Sequence, residues 1–440
     1  MSCPTCLDLR LPPGSRVCAR MKLLFVLQEL PHPANNGHRQ KVLSLIDFLS
    51  ERHACDVLAL GTSEDSLTCG PWVAGRPGLR ILGCFEPDPS RFLRFRQMVA
   101  LLLGRPSASW LRFRSRALED ALRHAVHEND YDVVHIDLIS MGYCCAAVGR
   151  AKRVLSLNDS LSLTMFGRAR NRFAPWSFRL SALLSGLLQL RAERKVFGMA
   201  DAVHFVGVAD ADWSRKHLGG GNAVQIPLAV ASIFLAMPPG EDPIRGQTIL
   251  AIDKLGAAQH RNAIVRFLSR HWSVLRARHP NARLVVVGGS GMPDSFQEFV
   301  RRLPGVELYA WVEHLEELMS GTGVAVFPYS VAVGMKNRVM QCMGAGMAVV
   351  GDPSSFSGLP VRSGHDAVVC ETHDAMARTV GELLGDPARS RRIGAQARVL
   401  IRSGFTTDAV GCSWERLYTD VAAGIPISSR YGGPISAEAS

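Results

Sequence analysis

VAVFPYSVAVGMKNRVMQCMGAGMAVV, residues 324 to 350, carries the clearest structural pattern in the chain. It predicts an apolar strand, a turn of small residues, a helix from about Met335, and a second apolar strand. Gly334 would let the backbone approach a ligand closely, and the helix start would present unpaired N–H groups and the positive end of its dipole. Lys336 and Arg338 add cations there. The stretch therefore predicts a phosphate-binding site, as in proteins that bind a nucleotide diphosphate.

The length and composition are those of an ordinary globular protein. The chain has 440 residues, of which 47% are hydrophobic and 20% are charged, and this excludes the disordered and fibrous classes. The length suits two domains of roughly 200 residues each. The formal net charge of +11 favours anionic partners, namely nucleotide diphosphates, anionic lipid headgroups or nucleic acid.

The sequence predicts a cytoplasmic protein. No apolar run reaches the ~18 residues needed to cross a bilayer, and the first residues, MSCPTCLDLRLPPGSR, lack the apolar core of a signal peptide. The eleven cysteines are scattered and several lie in apolar runs, which favours buried reduced thiols. Cys3 and Cys6 form a lone CxxC, for which redox activity or metal binding is the alternative.

From Lys22 onward, short apolar runs alternate with segments of helical length, and the runs at 22–28, 248–252 and 348–351 are predicted strands. This alternation predicts parallel sheets with right-handed crossovers. We therefore predict an α/β fold with two facing Rossmann-like domains and a cleft between them. The predicted segments are a flexible N-terminal extension (1–20), a first domain (21–235), a proline- and glycine-rich linker (236–247), a second domain (248–405), a C-terminal helix that returns to the first domain (406–424) and a mobile tail (425–440).

Three segments carry a family resemblance. GMKNRVMQCMGAGMAVVG, from Gly334, resembles a donor-site pattern of glycine, basic residues, small residues and a final strand. MKLLFVLQELPHPANNGHRQKVLSLIDFL, from Met21, resembles an opening strand, glycine loop and helix, and YDVVHID, from Tyr131, resembles a strand that ends in histidine. In these segments the chain is similar to glycosyltransferase family 4, whose members have the GT-B fold, over roughly Met21 to Val421.

The resemblance implies an activity and a division of labour. Members of the family move a sugar from a nucleotide-diphosphate donor to an acceptor, usually with retention of the anomeric configuration and without a tightly bound metal. The nucleotide sugar would bind to the second domain. The acceptor, a saccharide or a lipid-linked saccharide, would bind to the first. No cofactor is implied besides the donor substrate.

The chain departs from the family at two positions of the donor site. The family typically carries two glutamates eight positions apart, where this sequence has Val333 and Gln341. The second glutamate normally accepts hydrogen bonds from the donor ribose, and Gln341 retains an acceptor oxygen without the charge. Val333 cannot form a side-chain hydrogen bond. Either this branch holds its sugar differently, or its activity is reduced.

Cations are expected close to the donor diphosphate. A leaving nucleotide diphosphate develops negative charge, which cations and backbone N–H groups can stabilise in the absence of a metal. The candidates are Lys254 and Arg261, which follow the first strand of the second domain, and the helix start at Gly334 to Lys336. Solvated surface cations are the alternative for Lys254 and Arg261.

Polar residues in the first domain follow strands, at the edge where open α/β sheets bind ligands. Asn36 and Gly37 lie in the first such loop, where the resemblance places the donor phosphate or the acceptor, although a turn explains them equally well. His135 would contact the donor sugar or shuttle a proton, or would be structural. Asp159 would bind acceptor hydroxyls or cap the following helix.

In the second domain, Gly288 ends a strand where the family binds the nucleotide base and ribose, with a tight turn as the alternative. Tyr329 would border the donor site, or belong to an ordinary turn. Glu193 and Asp210, in the first domain, are predicted to lie on solvated helix faces.

Two basic, aromatic segments favour an anionic membrane surface. Residues 91–118 hold seven arginines and no acidic residue, and a second such segment begins at Phe166. Two amphipathic core helices with solvated arginines are the alternative. Nucleic-acid binding is less favoured because no recognition motif accompanies the charge.

The residues and the resemblance together predict a cytoplasmic glycosyltransferase, peripheral to the inner face of the membrane, that builds a polysaccharide or glycolipid. One alternative is a nucleotide-sugar epimerase on the same fold, which would need an acid or base pair in the cleft. The other is a catalytically weak scaffold that binds a nucleotide sugar or a partner glycosyltransferase.

Overall fold

The computed structural model describes residues 20–34, 36–89, 110–170, 175–237, 247–320, 323–328 and 334–427. Contacts divide the chain into two compact units. The first contains Met1–Pro227 and Val410–Ser440, and the second contains Leu228–Ala409. The predicted boundary at 235 therefore differs from the division by contacts, which groups residues 228–235 with the second unit. Most of the predicted linker lies outside the described residues.

The first unit is built on a seven-stranded parallel sheet with the order β3-β2-β1-β4-β5-β6-β7. Most strand residues are buried, because helices cover both faces of a parallel sheet and apolar side chains are needed on both. The strands are β1 (Lys22–Leu27), β2 (Ala54–Leu60), β3 (Leu79–Phe85), β4 (Val133–Asp137), β5 (Lys152–Leu157), β6 (Ala202–Phe205) and β7 (Ala223–Gln225).

The helices of the first unit alternate with these strands, and short 3-10 segments lie at Trp110–Phe113 and Ile139–Ala147. A C-terminal helix, Thr407–Ala422, lies almost wholly in this unit. The helices are α1 (Gly37–Ser50), α2 (Ser63–Thr68), α3 (Gly70–Ala74), α4 (Arg116–Glu128), α5 (Leu161–Arg170), α6 (Trp176–Phe197) and α7 (Val208–His217).

The second unit has a six-stranded parallel sheet with the order β10-β9-β8-β11-β12-β13. In both units the fourth strand in sequence pairs with the first, so the strand order reverses there, where ligands bind in open α/β sheets. The strands are β8 (Thr248–Ile252), β9 (Arg283–Val287), β10 (Val306–Tyr309), β11 (Val324–Phe327), β12 (Ala348–Gly351) and β13 (Val368–Val369).

The helices of the second unit complete the same alternation. A π-helical turn, Leu268–Trp272, and a 3-10 turn, Pro353–Phe356, accompany them. The α-helices of this unit are α8 (Ser232–Leu235), α9 (Ala258–Phe267), α10 (Ser273–Arg278), α11 (Asp294–Arg301), α12 (Leu315–Ser320), α13 (Asn337–Gly344), α14 (His373–Gly385) and α15 (Pro387–Gly404). The C-terminal helix Thr407–Ala422 is α16.

The predicted α/β architecture of two Rossmann-like domains is confirmed by these two sheets. Helix α13 begins at Asn337, two residues later than predicted. The reason is local, because Gly334 has a φ of 79° and Lys336 is extended, so the turn continues through both. Within the described ranges, none of the helices has the length and apolar content that crossing a bilayer requires. The eight cysteines of these ranges are free thiols.

Candidate functional site

The turn before α13 has the backbone conformation that the sequence predicts for close approach of a ligand. Gly334 lies in the left-handed region, with a φ of 79°, where residues with a side chain are strained. Met335 is buried, and its Cε would lie 2.9 Å from a Cβ added at Gly358, so this side chain packs in the fold. Lys336 is half-buried at the N-terminal cap of α13. The turn therefore offers its backbone and one cation to a ligand.

Gln341, in α13, is buried and its amide orientation is fixed by a neighbour. Its Oε1 accepts a hydrogen bond of 2.8 Å from Nη1 of Arg338. A guanidinium can only donate, so the amide oxygen must face Arg338 and the amide nitrogen must face away from it. The acceptor oxygen that the sequence offers to the ligand is therefore engaged by Arg338.

Asp253, in the loop after β8, and His260, in the first turn of α9, form a carboxylate–imidazole pair that the sequence analysis missed. One oxygen of Asp253 is hydrogen-bonded to Nδ1 of His260, and its other oxygen accepts a 2.7 Å hydrogen bond from the backbone N–H of Lys254. A small pocket beside this pair is lined in part by Phe327 and Pro328 at the end of β11. The only signal in the sequence was an aspartate directly after a buried strand.

The two predicted cations of that loop have different surroundings. Nη1 of Arg261 donates to the carbonyls of Leu255 and Gly256, at 3.0 and 2.9 Å, so part of its guanidinium holds the loop closed. The side chain of Lys254 is exposed. Lys254 is therefore the more available of the two cations for an anionic ligand.

The glycine at the end of β9 is explained by packing. A Cβ added at Gly288 would lie 2.0 Å from Sδ of Met292, and the Gly288 carbonyl accepts a 2.7 Å hydrogen bond from the N–H of Leu255. This close contact favours the tight-turn alternative for Gly288. Tyr329 and Val333 lie outside the described residues.

In the first unit, a buried polar network lies at the carboxyl end of β4. Nζ of Lys41 is 3.1 Å from Asp137 Oδ1, and Nε2 of His38 is 2.9 Å from Oδ2. Lys41 also donates to Ser156 Oγ and Asn158 Oδ1. Burial opposes the charged form of Asp137, but Lys41 and His38 outweigh it and hold the pKa of this carboxyl well below its usual range.

His135, two residues earlier on β4, lies in the core instead of at the sheet edge. It is 1% exposed, and its Nδ1 is 2.7 Å from the hydroxyl of Tyr418. Its ring also contacts Phe25 and Trp414. Burial lowers its pKa, so the neutral ring is favoured. The placement favours the structural alternative over contact with a sugar.

Asn36 and Gly37 form the start of α1. The Asn36 side chain accepts a 2.8 Å hydrogen bond from the N–H of Arg39, as an N-terminal cap does. Gly37 is the first residue of the helix. The structural alternative to ligand binding therefore explains the asparagine at position 36, because its side-chain oxygen already accepts a hydrogen bond within the fold.

The loop after β5 is held by two buried carboxylates, so the predicted solvated positions of Glu193 and Asp210 are wrong. Glu193 accepts a 2.7 Å hydrogen bond from the N–H of Leu161, and Asp210 accepts one of the same length from the N–H of Ser160. Burial raises the pKa of both, that of Asp210 to about 7. Asp159 is half-buried in this loop, and Ser160, not Asp159, caps α5.

Comparison with known proteins finds one family model that matches part of the chain. Residues 248–386, most of the second unit, match the model for glycosyl transferases group 1. The sequence gives no match among curated proteins.

Solved structures share the whole architecture at low identity. One is Alr3699/HepE of Anabaena in complex with UDP, with a TM-score of 0.64, 13% identity, and 91% of this chain and 100% of that chain covered. The sucrose-phosphate synthase of Thermosynechococcus elongatus gives 0.63 at 15% identity, with 92% and 100% covered. TarM of S. aureus gives 0.64 at 9% identity, with 91% and 99% covered. These likenesses show that the chain has the GT-B fold.

Proposed function

We propose that this protein is a glycosyltransferase that moves a sugar from a nucleotide-diphosphate donor to an acceptor. The observation that carries the proposal is the match to glycosyl transferases group 1. It covers both the turn at Gly334 and the loop that contains Lys254. The complex of the structurally similar Alr3699/HepE with UDP supports a nucleotide diphosphate as the donor class.

The chemistry follows from the groups at the edge of the second sheet. The bond between the anomeric carbon and the diphosphate breaks as the acceptor hydroxyl oxygen bonds to that carbon, negative charge develops on the diphosphate, and the departing diphosphate takes up the hydroxyl proton. Lys336, the N–H groups of the first turn of α13 and the exposed Lys254 are the groups that would stabilise that charge. The proposed transfer needs no metal or other cofactor, and Arg261 contributes by shaping the loop.

The acceptor side of the proposal rests on the resemblance to glycosyltransferase family 4. In this proposal, a saccharide or lipid-linked acceptor binds to the first unit and the sugar is transferred with retention of its anomeric configuration. The product belongs to polysaccharide or glycolipid biosynthesis. The protein would work in the cytoplasm, peripheral to the inner face of the membrane. The high content of arginine and the net charge of +11 are consistent with that location.

Nucleotide binding tests the donor site directly. The purified protein is heated with the diphosphates of uridine, guanosine, adenosine, cytidine and thymidine, each compared with its monophosphate. We expect one diphosphate to raise the melting temperature, because a ligand at 100 times its Kd adds about 2.7 kcal/mol of stability. Lys336→Ala should abolish the rise, whereas Lys216→Ala, an exposed lysine of the first unit, should preserve it. If no diphosphate stabilises the protein, the proposal fails.

The side-chain oxygen of Gln341 is hydrogen-bonded to Arg338, which favours the alternative of a catalytically weak scaffold that binds a nucleotide sugar. If glutamine at position 341 belongs to a working site, we expect Gln341→Glu not to increase activity, because Arg338 would pair with the new carboxylate. The donor in this assay is the nucleotide sugar whose nucleotide diphosphate stabilises the protein. The measurement is release of the nucleotide diphosphate, with Gln341→Ala as the control for loss of the side chain. A large activation by Gln341→Glu would instead favour a decayed enzyme that acts as a scaffold.

A further inference from the structure

Helix α6 exposes apolar side chains along one face. Trp176, Leu180, Leu183, Leu184 and Leu187 share that face by the helical period, and each is at least 42% exposed. From Ala182 onward the other side of the helix, with Gly186 and Glu193, is buried, whereas Phe178 in the first turn is 49% exposed. The exposed face of α6 therefore departs from the usual pattern, since a helix on a solvated surface places polar residues outward.

The inner face of α6 is firmly packed, which fixes the direction of the apolar face. A Cβ added at Gly186 would lie 3.0 Å from the ring of Phe166, so α5 and α6 are in close contact. The ring of Phe166 also packs against Trp213. Glu193 binds the start of α5 through the N–H of Leu161. Rotation of α6 to bury its leucines would break these contacts.

The charged residues of α5 and of α6 up to Ala192 have a single sign. Between Ser160 and Ala192 the sequence has five arginines and no acidic residue. The described ones, Arg168, Arg170, Arg179 and Arg191, are all exposed.

We infer that this α5–α6 surface, defined by the exposed apolar residues of α6 and these arginines, docks on an anionic lipid bilayer. Leucines of a helix that lies in the plane of the interface insert into the headgroup and acyl boundary, and tryptophan is favoured at that depth. Arginines around the inserted residues bind anionic headgroups. The inference deepens the acceptor side of the proposed function, and it rests on that function only for the reason why the protein visits a membrane.

Vesicle flotation tests the surface. The full chain is mixed with vesicles of phosphatidylcholine alone or with one quarter phosphatidylglycerol. We expect it to float with the anionic vesicles and to remain below with the neutral ones. Raising the salt concentration to about 0.5 M should weaken flotation, because the Debye length shortens. Failure to float with either vesicle, or equal flotation with both, would overturn the inference.

Variants locate the binding. Trp176→Ala with Leu180→Gln, and separately Arg168→Glu with Arg170→Glu, should each weaken flotation roughly tenfold or more. The matched controls lie in the second unit. They are Trp311→Ala, at a tryptophan that is 67% exposed, and Arg391→Glu with Arg392→Glu on α15. Controls that lose flotation as much as the α5–α6 variants would overturn the inference.

Two further readouts separate this inference from its competitors. A dimer in size-exclusion chromatography that Trp176→Ala dissociates would assign the face to a second copy of the chain and overturn membrane docking. Stabilisation by a nucleotide diphosphate is measured on the same variants, and we expect it to be unchanged. If the wild-type protein binds the nucleotide but does not float with anionic vesicles, the membrane inference fails and the proposed transferase function still stands.

Discussion

Asp137→Ala is expected to lower the free energy of unfolding by about 3–5 kcal/mol, because it leaves a buried ammonium without its carboxylate. The Lys41 side chain is 7% exposed and that of Asp137 is fully buried. Ser156 and Asn158 would still accept hydrogen bonds from Lys41, but neither carries a compensating charge. Urea unfolding, followed by circular dichroism, measures the loss.

A double-mutant cycle separates the ion pair from other effects of the substitution. Lys41→Met alone should also be costly, because it leaves the fully buried Asp137 carboxylate with only His38 beside it, and combining the two substitutions should recover much of the loss, since both charges are then absent. The matched control is Asp120→Ala, at a side chain that is 74% exposed, for which a change within about 0.5 kcal/mol is expected. A loss below about 1 kcal/mol for Asp137→Ala would contradict the buried-pair interpretation.

The network also limits how function can be tested at this edge of the first unit. The ring of His38, 15% exposed, is held by Asp137 through Nε2. Substitution of Asp137 therefore changes both the stability of the unit and the orientation of His38. For that reason, a loss of activity in Asp137→Ala does not by itself show that this network takes part in catalysis or binding. His38→Ala leaves the pair of Lys41 and Asp137 intact, so a loss of activity in that variant as well would show it.

Apolar runs were sufficient to predict the sheets. TILAI and AVVG became β8 and β12 with the bounds that their sequence indicates, because a strand covered on both faces must be apolar throughout. The role of His135 could not be read in the same way. The hydroxyl beside it belongs to Tyr418, 283 residues later, so its burial depends on a contact that local periodicity does not contain.

The carboxylates show a second limit of sequence patterns. Glu193 and Asp210 lie in polar helical segments, and such residues are solvated by default. Their donors are the backbone N–H groups of Leu161 and Ser160, 32 and 50 residues away, which require caps where α5 begins. The start of α13 was missed for a related reason, since the extended conformation of Lys336 follows from the turn and not from its own propensity.

Asp210→Asn is expected to make the protein progressively more stable than wild type as the pH rises. Burial, with Asp159 and Glu193 nearby, raises the pKa of Asp210 from 3.8 to about 7. Between these values the unfolded chain has lost a proton that the folded protein keeps, so wild-type stability falls as the pH rises through this window and levels off above it. From pH 5 to pH 8 the difference should grow by about 3 kcal/mol, at about 1.4 kcal/mol per pKa unit.

Urea unfolding of both proteins at pH 5 and pH 8 measures this growth. Asp212→Asn, at a 58% exposed position of the same helix, is the matched control and should show a smaller change. An Asp210→Asn difference that is the same at both pH values would show that Asp210 is already ionised at pH 5 in the folded protein.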